Sequence, residues 1–399
     1  HKTPSKQTND NNDIADEEKK VDIHANGYKI DVESQIDFNA LMTKRPIQFG
    51  RIYQGNGNGE AVQFEKDFLA KCSAKFTQFM QGLRASTTST QPRSECIFNG
   101  IPKIIHQIWV GPKAVPKQYE LWSETWRRYH PDWTFMLWTD ESLAQKKFEW
   151  SSPINKSLFQ ISENVGEKSD ILRLEILYRF GGIYVDFDFE CVQSLNVFDE
   201  YAASSSSSKE KHSLPVSCVF GFSNTGLLEI NNAMIACKPK HGILPEIWKS
   251  IQMICNDSTG GDGNENAKKS TIISTGPIQL SRSVMNAYDK FDDILIFPTK
   301  CFYPFPNNMR HLPINDRFVY YDDFTFGVHH WGVSWNKKYQ NHVTMNNQEE
   351  KIKVQEESNK SNAELETGDH DDAKNNIIDS IMNTEENIDL QSRILSFLQ

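Results

Sequence analysis

Apolar residues in the middle of the chain alternate between short continuous runs and segments with helical spacing. Ile101 to Val110 (IPKIIHQIWV) is rich in Ile and Val and lies between two glycines, which predicts a buried strand. Pro116 to His130 carries aromatic residues and leucine at helical spacing and predicts a helix that ends before a proline. Trp133 to Trp138 predicts a second strand. The order strand, helix, strand predicts a parallel β-α-β unit covered by helices.

The segment Ser169 to Phe189 (SDILRLEILYRFGGIYVDFDF) predicts a second helix followed by a strand. Ser169 is a good N-cap, the apolar residues after it predict a largely buried helix, and the glycine pair supplies a left-handed C-cap. Ile183 to Phe189 then predicts a strand whose end carries Asp186 and Asp188.

Three short apolar segments follow, and each predicts a further strand or helix: Val219 to Phe222, Ile230 to Ala236 and Ile294 to Phe297. The intervening polar segments, Ala202 to Ser213 and Asn256 to Ser270, are typical of loops or insertions. The whole succession predicts an α/β fold.

The pattern changes at both ends of the chain. Residues 1–95 predict a polar N-terminal tail or stem with one helix, because apolar residues between Phe64 and Met80 recur at three- and four-residue spacing. A compact domain is predicted over residues 96–345. Residues 346–399 predict an acidic, largely disordered tail whose weak amphipathic pattern allows a terminal helix.

The acidic residues are concentrated near the end of the sequence. The formal net charge is -10, but residues 346–399 contain 13 acidic and 5 basic residues, a net of -8, so the rest carries -2. A nearly neutral body without a Lys/Arg-rich face argues against nucleic acid as a partner, because binding to phosphate backbones depends on clustered positive charge.

The seven cysteines are scattered, with no CxxC pair and no zinc-type spacing, so a structural zinc site is not predicted. An odd number leaves at least one thiol unpaired. The spread fits either reduced cysteines or a few long-range disulfides, and does not decide the compartment.

The sequence has no run of about 18 apolar residues, the length that a membrane-spanning helix needs. Because the sequence begins with His1 rather than Met, a signal or anchor could have been removed upstream. We therefore expect membrane association only through a segment absent from this chain.

The motif Asp186-Phe187-Asp188 offers two carboxylates at the end of a predicted strand. Strand alternation would point both aspartates to one side and Phe187 to the other. Such a pair forms a hard oxygen site suited to Mn²⁺ or Mg²⁺ bridging a diphosphate. A solvent-facing acidic strand end is the alternative interpretation.

Asp170 and Arg173 lie three residues apart, so they share one face of the helix that leads into the aspartate motif. A cation beside two carboxylates suits a site for sugar hydroxyls or phosphate oxygens. An ordinary surface salt bridge explains the same spacing.

Histidines and tryptophans near the motif are further candidates. His329 and His330 could complete a metal shell or hydrogen-bond a diphosphate, although a histidine beside tryptophan is more often a packed core residue. Trp109 closes the first predicted strand, where it could stack on a base or simply belong to the core.

Four sequence blocks, in this order, resemble the DXD sugar-binding family of glycosyltransferases, family 32 in the usual sequence classification. The blocks, which span residues 101–335, are IPKIIHQIWVG, YHPDWTFMLWTDES, SDILRLEILYRFGGIYVDFDFECVQSL and HHWGVSW. That family includes fungal Golgi initiation mannosyltransferases, inositol-phosphoceramide mannosyltransferases and glycolipid α-galactosyltransferases. The glucosyltransferase domains of large clostridial toxins are similar more distantly.

The resemblance implies a GT-A-type, Rossmann-like sandwich with extra helices over residues 96–345, and a set of site residues. The implied catalytic residues are Asp186, Asp188 and Arg173. The implied donor-binding residues are Trp109, Ser169, Asp170, Arg173, Tyr184, Asp186, Ser334 and Trp335. The implied metal ligands are Asp188, Asp186 and one of His329 and His330.

Each implied residue has an implied task. Trp109 would stack on the donor base, while Asp170 and Arg173 would hold the sugar hydroxyls. Asp188 would bind the cation directly, and Ser334 with Trp335 would close over the diphosphate.

The resemblance also implies the reaction and its setting. A hexose would pass from a nucleotide-sugar donor (GDP-Man, UDP-Gal, UDP-Glc or UDP-GlcNAc) to a glycan or glycolipid acceptor, with an α linkage, retention of configuration and Mn²⁺ or Mg²⁺ as cofactor. Eukaryotic relatives imply the Golgi lumen and a type II anchor, whereas bacterial relatives imply the cytosol.

Three other functions compete with this one. Haloacid-dehalogenase-like phosphotransferases also place DxD after an apolar strand, but Phe189 and Glu190 follow the motif here where that class needs Thr or Val. A catalytically inactive sugar-nucleotide-binding or scaffold protein would keep the same residues. A glycosidase would hold its two carboxylates across a sugar ring, not two residues apart on a strand.

Overall fold

A computed structural model describes residues 37–53, 58–86, 96–145, 148–198, 214–257 and 271–332. The predictions for residues 1–36 and 346–399, and for Ser334 and Trp335, lie outside the described residues. The strands are β1 Cys96–Ile97, β2 Ile101–Pro102, β3 Ile104–Ile108, β4 Thr134–Trp138, β5 Gly182–Val185, β6 Phe189–Cys191, β7 Cys218–Phe222, β8 Ile230–Cys237, β9 Ile294–Phe297 and β10 Gly327–His329. The helices are α1 Phe38–Leu41, α2 Asn58–Ser86, α3 Lys117–Tyr129, α4 Asp140–Gln145, α5 Pro153–Ile161, α6 Val165–Phe180, α7 Ile243–Asp257, α8 Thr271–Ser274, α9 Pro277–Ala287 and α10 Thr299–Phe302. Short 3₁₀ helices cover Leu195–Phe198, Tyr288–Lys290, Asn307–Met309 and Ile314–Tyr320.

The central sheet has six strands in the order β4-β3-β5-β8-β7-β9. The pairs β3–β4, β3–β5 and β7–β9 are parallel, and β8 runs antiparallel to both of its neighbours. The first two predicted strands are indeed a parallel pair joined by α3, with Ile104 opposite Thr134. The α/β prediction is confirmed.

Two further two-stranded sheets flank this one, and one of them matters for the site. In it, β6 pairs antiparallel with β10, so that His329 faces Phe189 and Val328 faces Glu190. This pairing brings the histidine region beside the aspartate motif. The other small sheet joins β1 to β2.

The long helix α2 packs against the central sheet, as its apolar spacing predicts. Phe68, Cys72, Phe76 and Phe79 on this helix are buried in the core. Phe76 and Phe79 contact the ring of Phe297 on β9 edge-on, at centroid distances of 5.7 and 5.8 Å. Residues 58–86 therefore contribute to the same core as the sheet, while the positions of the domain boundaries stay predictions.

The helix that precedes the aspartates starts earlier than predicted. Its N-cap is Asn164, whose side-chain oxygen accepts from the Gly166 N–H at 2.7 Å, so the prediction that Ser169 caps the helix is wrong. Ser169 lies inside α6, where its hydroxyl donates to the Val165 carbonyl at 2.9 Å. Asparagine and serine are both favourable N-cap residues, so the residue type does not decide between them. Asn164 is the cap because the helix begins immediately after it.

A glycine pair ends α6 because the chain needs backbone angles that other residues avoid. Gly181 and Gly182 have φ of 64° and 91°. A Cβ atom on Gly182 would lie 2.5 Å from the carbonyl oxygen of Ile104 on β3. The pair thus permits both the sharp turn and the close approach of β5 to β3.

The strand predicted over residues 183–189 is interrupted at the aspartates. β5 ends at Val185, and β6 begins at Phe189. Between them the chain turns, with the Phe189 N–H donating to the Asp186 carbonyl at 3.2 Å. Aspartate favours turns over strands, so Asp186 and Asp188 are brought together by a turn and not by strand alternation.

Among the described residues, no helix combines the length and the apolar character needed to cross a membrane.

Candidate functional site

The turn after β5 and the end of β10 together form a cluster of three potential metal ligands. One ligand atom each from Asp186, Asp188 and His329 lie within 4.8 Å of one another. His329 Nε2 is 3.3 Å from Asp188 Oδ2, and both side chains are buried, whereas the Asp186 side chain is 26% exposed. Two carboxylates and an imidazole form a donor set that suits Mn²⁺ and Mg²⁺, so these residues fit such a cation.

The electrostatics of this cluster reflect an excess of negative charge in a poorly solvated place. Burial raises the pKa of Asp186, although the Arg173 guanidinium acts against this and Asp188 adds to it. Burial alone would lower the pKa of His329, but the adjacent Asp188 carboxylate raises it above its ordinary value. A bound cation would favour two ionised carboxylates and a neutral histidine.

Arg173 on α6 lies next to this cluster and is surrounded by acceptors. Its Nη2 is 3.0 Å from Asp170 Oδ1 and 3.4 Å from Asp186 Oδ1. Its Nη1 donates to the Asn232 carbonyl at 2.5 Å, and its Nε donates to the Ser169 carbonyl at 3.2 Å. The Arg173 and Asp170 side chains are only 5% and 7% exposed, so the surface salt bridge interpretation is wrong.

Asn232 and Thr275 hold this ion pair in place, and the sequence reasoning did not identify them. Asn232 Nδ2 donates to Asp170 Oδ1 at 2.8 Å, and Thr275 Oγ1 donates to Asp170 Oδ2 at 2.7 Å. Burial raises the pKa of Asp170 to about 6, against the lowering effect of Arg173. An asparagine pair inside the apolar strand INNAMIAC was the available signal, because an amide packed among apolar residues needs hydrogen-bond partners.

Tyr184 on β5 links the arginine to the first aspartate. Its hydroxyl donates to Asp186 Oδ1 at 2.5 Å, and the guanidinium carbon of Arg173 lies 4.4 Å from the centre of its ring. The side chain is almost fully buried. Tyr184 therefore supports both Asp186 and Arg173 from the core side of the site.

Trp109 lies at the carboxyl end of β3, close to the aspartate turn. Its ring meets Phe187 edge-on at 5.3 Å between centroids and Tyr119 at 6.1 Å. The indole N–H donates to the Lys113 carbonyl at 2.6 Å, which fixes the ring, and the residue is half-buried. It thus offers a fixed, partly open aromatic surface beside the cluster.

His330 is not part of this cluster of potential metal ligands, whereas His329 is, so of the two predicted alternatives the cluster contains His329. Its Nε2 is 2.9 Å from Glu190 Oε2, its Nδ1 is 2.9 Å from Arg317 Nη1, and its ring stacks on Trp122 at 4.0 Å. His329 is the last residue of β10, and His330, the residue after it, has its ring among different partners. His329 contacts Asp188, whereas both nitrogens of His330 are already engaged.

A buried acid lies behind the cluster and was also missed. Glu229 is 4% exposed, and burial raises its pKa to about 7, although hydrogen bonds with Ser223 and Asn231 and the charge of His329 act in the opposite direction. Nothing in the sequence around this residue distinguished it from other glutamates.

Comparison with known proteins places the aspartate motif in a described family region. Residues 116–206 match the family model described as "Glycosyltransferase sugar-binding region containing DXD motif". The resemblance inferred from the sequence blocks is confirmed for these residues, which run from the start of α3 past the aspartate turn.

Two fungal proteins are similar to the chain in part. Inositol phosphoceramide mannosyltransferase 1 of Schizosaccharomyces pombe is 30% identical over 187 residues, which cover 45% of this chain and 50% of that protein. Mannosyl phosphorylinositol ceramide synthase CSH1 of Saccharomyces cerevisiae is 34% identical over 99 residues, 24% of this chain and 25% of that protein. The chain thus spans half, or less, of the length of these relatives.

Solved structures show a distant likeness. The catalytic domain of alpha-toxin from Clostridium novyi aligns at 10% identity with a TM-score of 0.39, over 73% of this chain and 88% of that chain.

Proposed function

We propose that the protein is a metal-dependent glycosyltransferase that moves mannose from a nucleotide-activated donor to a sphingolipid-type acceptor. The observation that carries the proposal is the convergence of Asp186, Asp188 and His329 within 4.8 Å, beside the buried Arg173–Asp170 pair. The DXD region match supports the reaction class, and the names of the two fungal relatives support mannose and a ceramide-based acceptor.

The three clustered side chains would hold the cation. When bound, a divalent cation supplies charge neutralisation to the diphosphate that leaves with the nucleotide. Asp188 and His329 are both buried where β6 pairs with β10, whereas the Asp186 side chain is partly exposed and would be the ligand nearer to an incoming donor. Asp188 and His329 would therefore hold the cation through buried side chains, and Asp186 would be the ligand more accessible to solvent.

Arg173 and Asp170 are proposed to hold the donor sugar. Four hydrogen bonds and ion pairs from Asn232, Thr275, Ser169 and Asp186 keep the pair in one geometry. A site fixed in this way needs little reorganisation when a substrate binds. Its groups are therefore already in place to stabilise the transition state. Trp109 is proposed to stack on the nucleotide base, since its ring is held beside the cluster and remains partly open.

Retention of the anomeric configuration and Mn²⁺ as the cation complete the proposal. The setting implied by the sequence resemblance is the Golgi lumen, with a type II membrane anchor.

Donor hydrolysis by the purified protein tests the activity. GDP-Man, UDP-Gal, UDP-Glc and UDP-GlcNAc would each be incubated with MnCl₂, with and without chelator, and then GDP-Man with inositol phosphoceramide in detergent. The proposal predicts that GDP-Man is turned over, that chelator abolishes turnover, and that Asp188→Asn does the same. Asp289→Asn, which changes a 74% exposed carboxylate paired with Lys71, is the matched control and should keep full activity.

Each other outcome has a defined meaning. Turnover of a different donor keeps the metal-dependent transferase and replaces mannose. Full activity in chelator or in Asp188→Asn contradicts the metal role. Mn-dependent binding of a donor with no turnover, with or without acceptor, favours the inactive binding protein.

A further inference from the structure

Two cysteines face each other in the interior of the central sheet, away from the candidate site. Cys218 begins β7 and Cys237 ends β8, and the register of this antiparallel pair places them directly opposite one another. Both are free thiols, and both are fully buried. Residues directly opposite on paired strands point to the same face of the sheet, so the two sulfurs are neighbours.

The hydrogen bonding next to this pair defines its geometry. The N–H of Lys238 donates across β7 and β8 to the Ser217 carbonyl at 2.9 Å, whereas the Cys218 N–H donates away from β8, to the Asp293 carbonyl at 3.2 Å. Cys218 and Cys237 then occupy a non-hydrogen-bonded position, where Cα atoms are typically about 4.5 Å apart. That separation lies within the range of about 4.4–6.8 Å that disulfides span. The sulfur atoms themselves lie within 4.8 Å of each other.

His241 lies close enough to suggest a metal site, but its ring is already engaged. Its Nδ1 accepts from the Ile243 N–H at 3.1 Å, and its Nε2 is 3.0 Å from Asp293 Oδ1. Asp293 is in turn bound by Lys238 at 3.1 Å. A metal would have to displace one of these partners, whereas a bond between the two sulfurs displaces none of them.

We propose that Cys218 and Cys237 form a cross-strand disulfide when the chain meets a disulfide oxidant such as oxidised glutathione. One cysteine thiolate attacks a glutathione sulfur, giving a mixed disulfide and releasing one glutathione thiolate. The second cysteine then attacks the protein sulfur of that mixed disulfide and releases the other. Two protein thiols are oxidised by two electrons, one glutathione disulfide is reduced to two thiols, and the two protons end on those thiols.

Burial determines when this bond can form. Burial raises the pKa of Cys218 well above its ordinary value, so the reactive thiolate is scarce in the folded chain. The oxidant also cannot reach sulfurs with no exposed surface. The disulfide therefore forms before β7, β8 and β9 close over the pair, and once formed it resists reductants in the folded state.

The bond would strengthen a strand pair that supports the candidate site. Asn232, which clamps Asp170 and Arg173, lies on β8, the strand that Cys237 ends. A disulfide that links β7 to β8 near one end reduces the conformational entropy of the unfolded chain and so stabilises this hairpin. The inference itself does not depend on the proposed activity.

The test uses the full chain, unfolded in guanidinium chloride and refolded with a mixture of oxidised and reduced glutathione. Free thiols are then blocked with iodoacetamide under denaturing conditions, and unreduced peptides are mapped by mass spectrometry. We expect a linked peptide pair that contains Cys218 and Cys237, while Cys72, Cys191 and Cys301 are alkylated. The midpoint of thermal unfolding should exceed that of the reduced protein by on the order of 5 °C.

Matched variants keep the test interpretable. Cys218→Ala should abolish both the linked peptide and the difference in thermal midpoint between oxidised and reduced protein. Cys301→Ala, at another fully buried cysteine, should change neither. Alkylation of both Cys218 and Cys237 after oxidative refolding overturns the inference. So does one equivalent of zinc per chain whose removal by chelator exposes both thiols, since that result assigns the pair to a metal.

Discussion

His329 Nε2, at the end of β10, lies 3.3 Å from Asp188 Oδ2, in the turn just before β6, although the strands β7, β8 and β9 separate the two residues in the sequence. The antiparallel pairing of β6 with β10 is what places the imidazole there, with Val328 opposite Glu190. The neighbouring histidine, His330, follows β10 and contacts Glu190 and Arg317 instead. The adjacent histidines His329 and His330 therefore have different roles, which substitutions can separate.

Replacing these two histidines should separate metal binding from stability. We expect His329→Ala to raise the Mn²⁺ concentration for half-maximal donor hydrolysis at least about tenfold, because one metal ligand is lost. His330→Gln should leave that concentration within about twofold but lower the free energy of unfolding by about 1–3 kcal/mol, since Glu190 and Arg317 lose a buried partner. Metal titrations of activity and denaturant unfolding measure the two effects. Equal metal affinity in His329→Ala and the unsubstituted chain would contradict the assignment.

Arg173→Lys should damage both the site and the fold, although it conserves charge. A lysine cannot contact Asp170, Asp186 and the Asn232 carbonyl together, so we expect kcat/KM for the donor to fall at least about 100-fold. The buried Asp170 carboxylate would lose part of the ion pairing that compensates its charge. This loss should lower the free energy of unfolding by on the order of 3 kcal/mol. Arg179→Lys alters a surface pair with Glu149 and should cost less than about 1 kcal/mol. A kcat/KM within threefold of the unsubstituted value in Arg173→Lys would refute a donor-holding role.

Glu229 should make stability depend on pH in a defined window. Its pKa is raised from 4.5 to about 7 in the folded chain, so the folded state holds a proton that the unfolded state has released between these values. The sign is therefore a loss of stability as pH rises from about 4.5 to 7, by about 3 kcal/mol for a shift of this size. Glu229→Gln, which mimics the protonated form, should flatten the pH profile of unfolding free energy in this window. Glu60→Gln, on the exposed first turn of α2, should leave the profile unchanged.

Gly182→Ala should destabilise the chain more than Gly100→Ala. Both glycines have positive φ, 91° and 85°, so both substitutions carry a similar backbone penalty of about 1 kcal/mol. A Cβ on Gly182 meets the Ile104 carbonyl at 2.5 Å, whereas one on Gly100 meets nothing within 4 Å. Denaturant unfolding should show an additional loss of about 2 kcal/mol or more for Gly182→Ala. Similar losses in the two variants would show that β5 can move away from β3.

The sequence predicts this fold best where its local pattern and its long-range packing agree. The helix over residues 117–129 and the strand over residues 134–138 follow from apolar periodicity and lie within one residue of their predicted bounds, whereas the single strand predicted over residues 101–110 is divided into β2 and a shorter β3. The predictions that Ser169 caps the helix and that one strand spans residues 183–189 were wrong, because in each case two local interpretations of the sequence were equally good. Asn164 and Ser169 both cap helices, and an apolar strand ending in aspartates can also turn.

The site was predictable in part for a different reason. Asp170 and Arg173 share a helical face, so their contact follows from spacing alone. Asn232 and Thr275 reach Asp170 from β8 and from the residue after α8, and His329 reaches Asp188 through the β6–β10 pairing. Contacts of that kind depend on the tertiary arrangement, which periodicity does not encode. The donor-closing roles predicted for Ser334 and Trp335 stay predictions.

The small β6–β10 sheet has a consequence for biosynthesis. A ribosome delivers the six strands of the central sheet, the last of which is β9 at residues 294–297, before it delivers His329. Domains begin to fold as the chain emerges, so the sheet and the aspartate turn can assemble while the third ligand is still being synthesised. A nascent chain stalled after β9 would then hold two of the three clustered ligands. We expect the capacity to retain a cation tightly to be acquired late in translation, after most of the fold already exists.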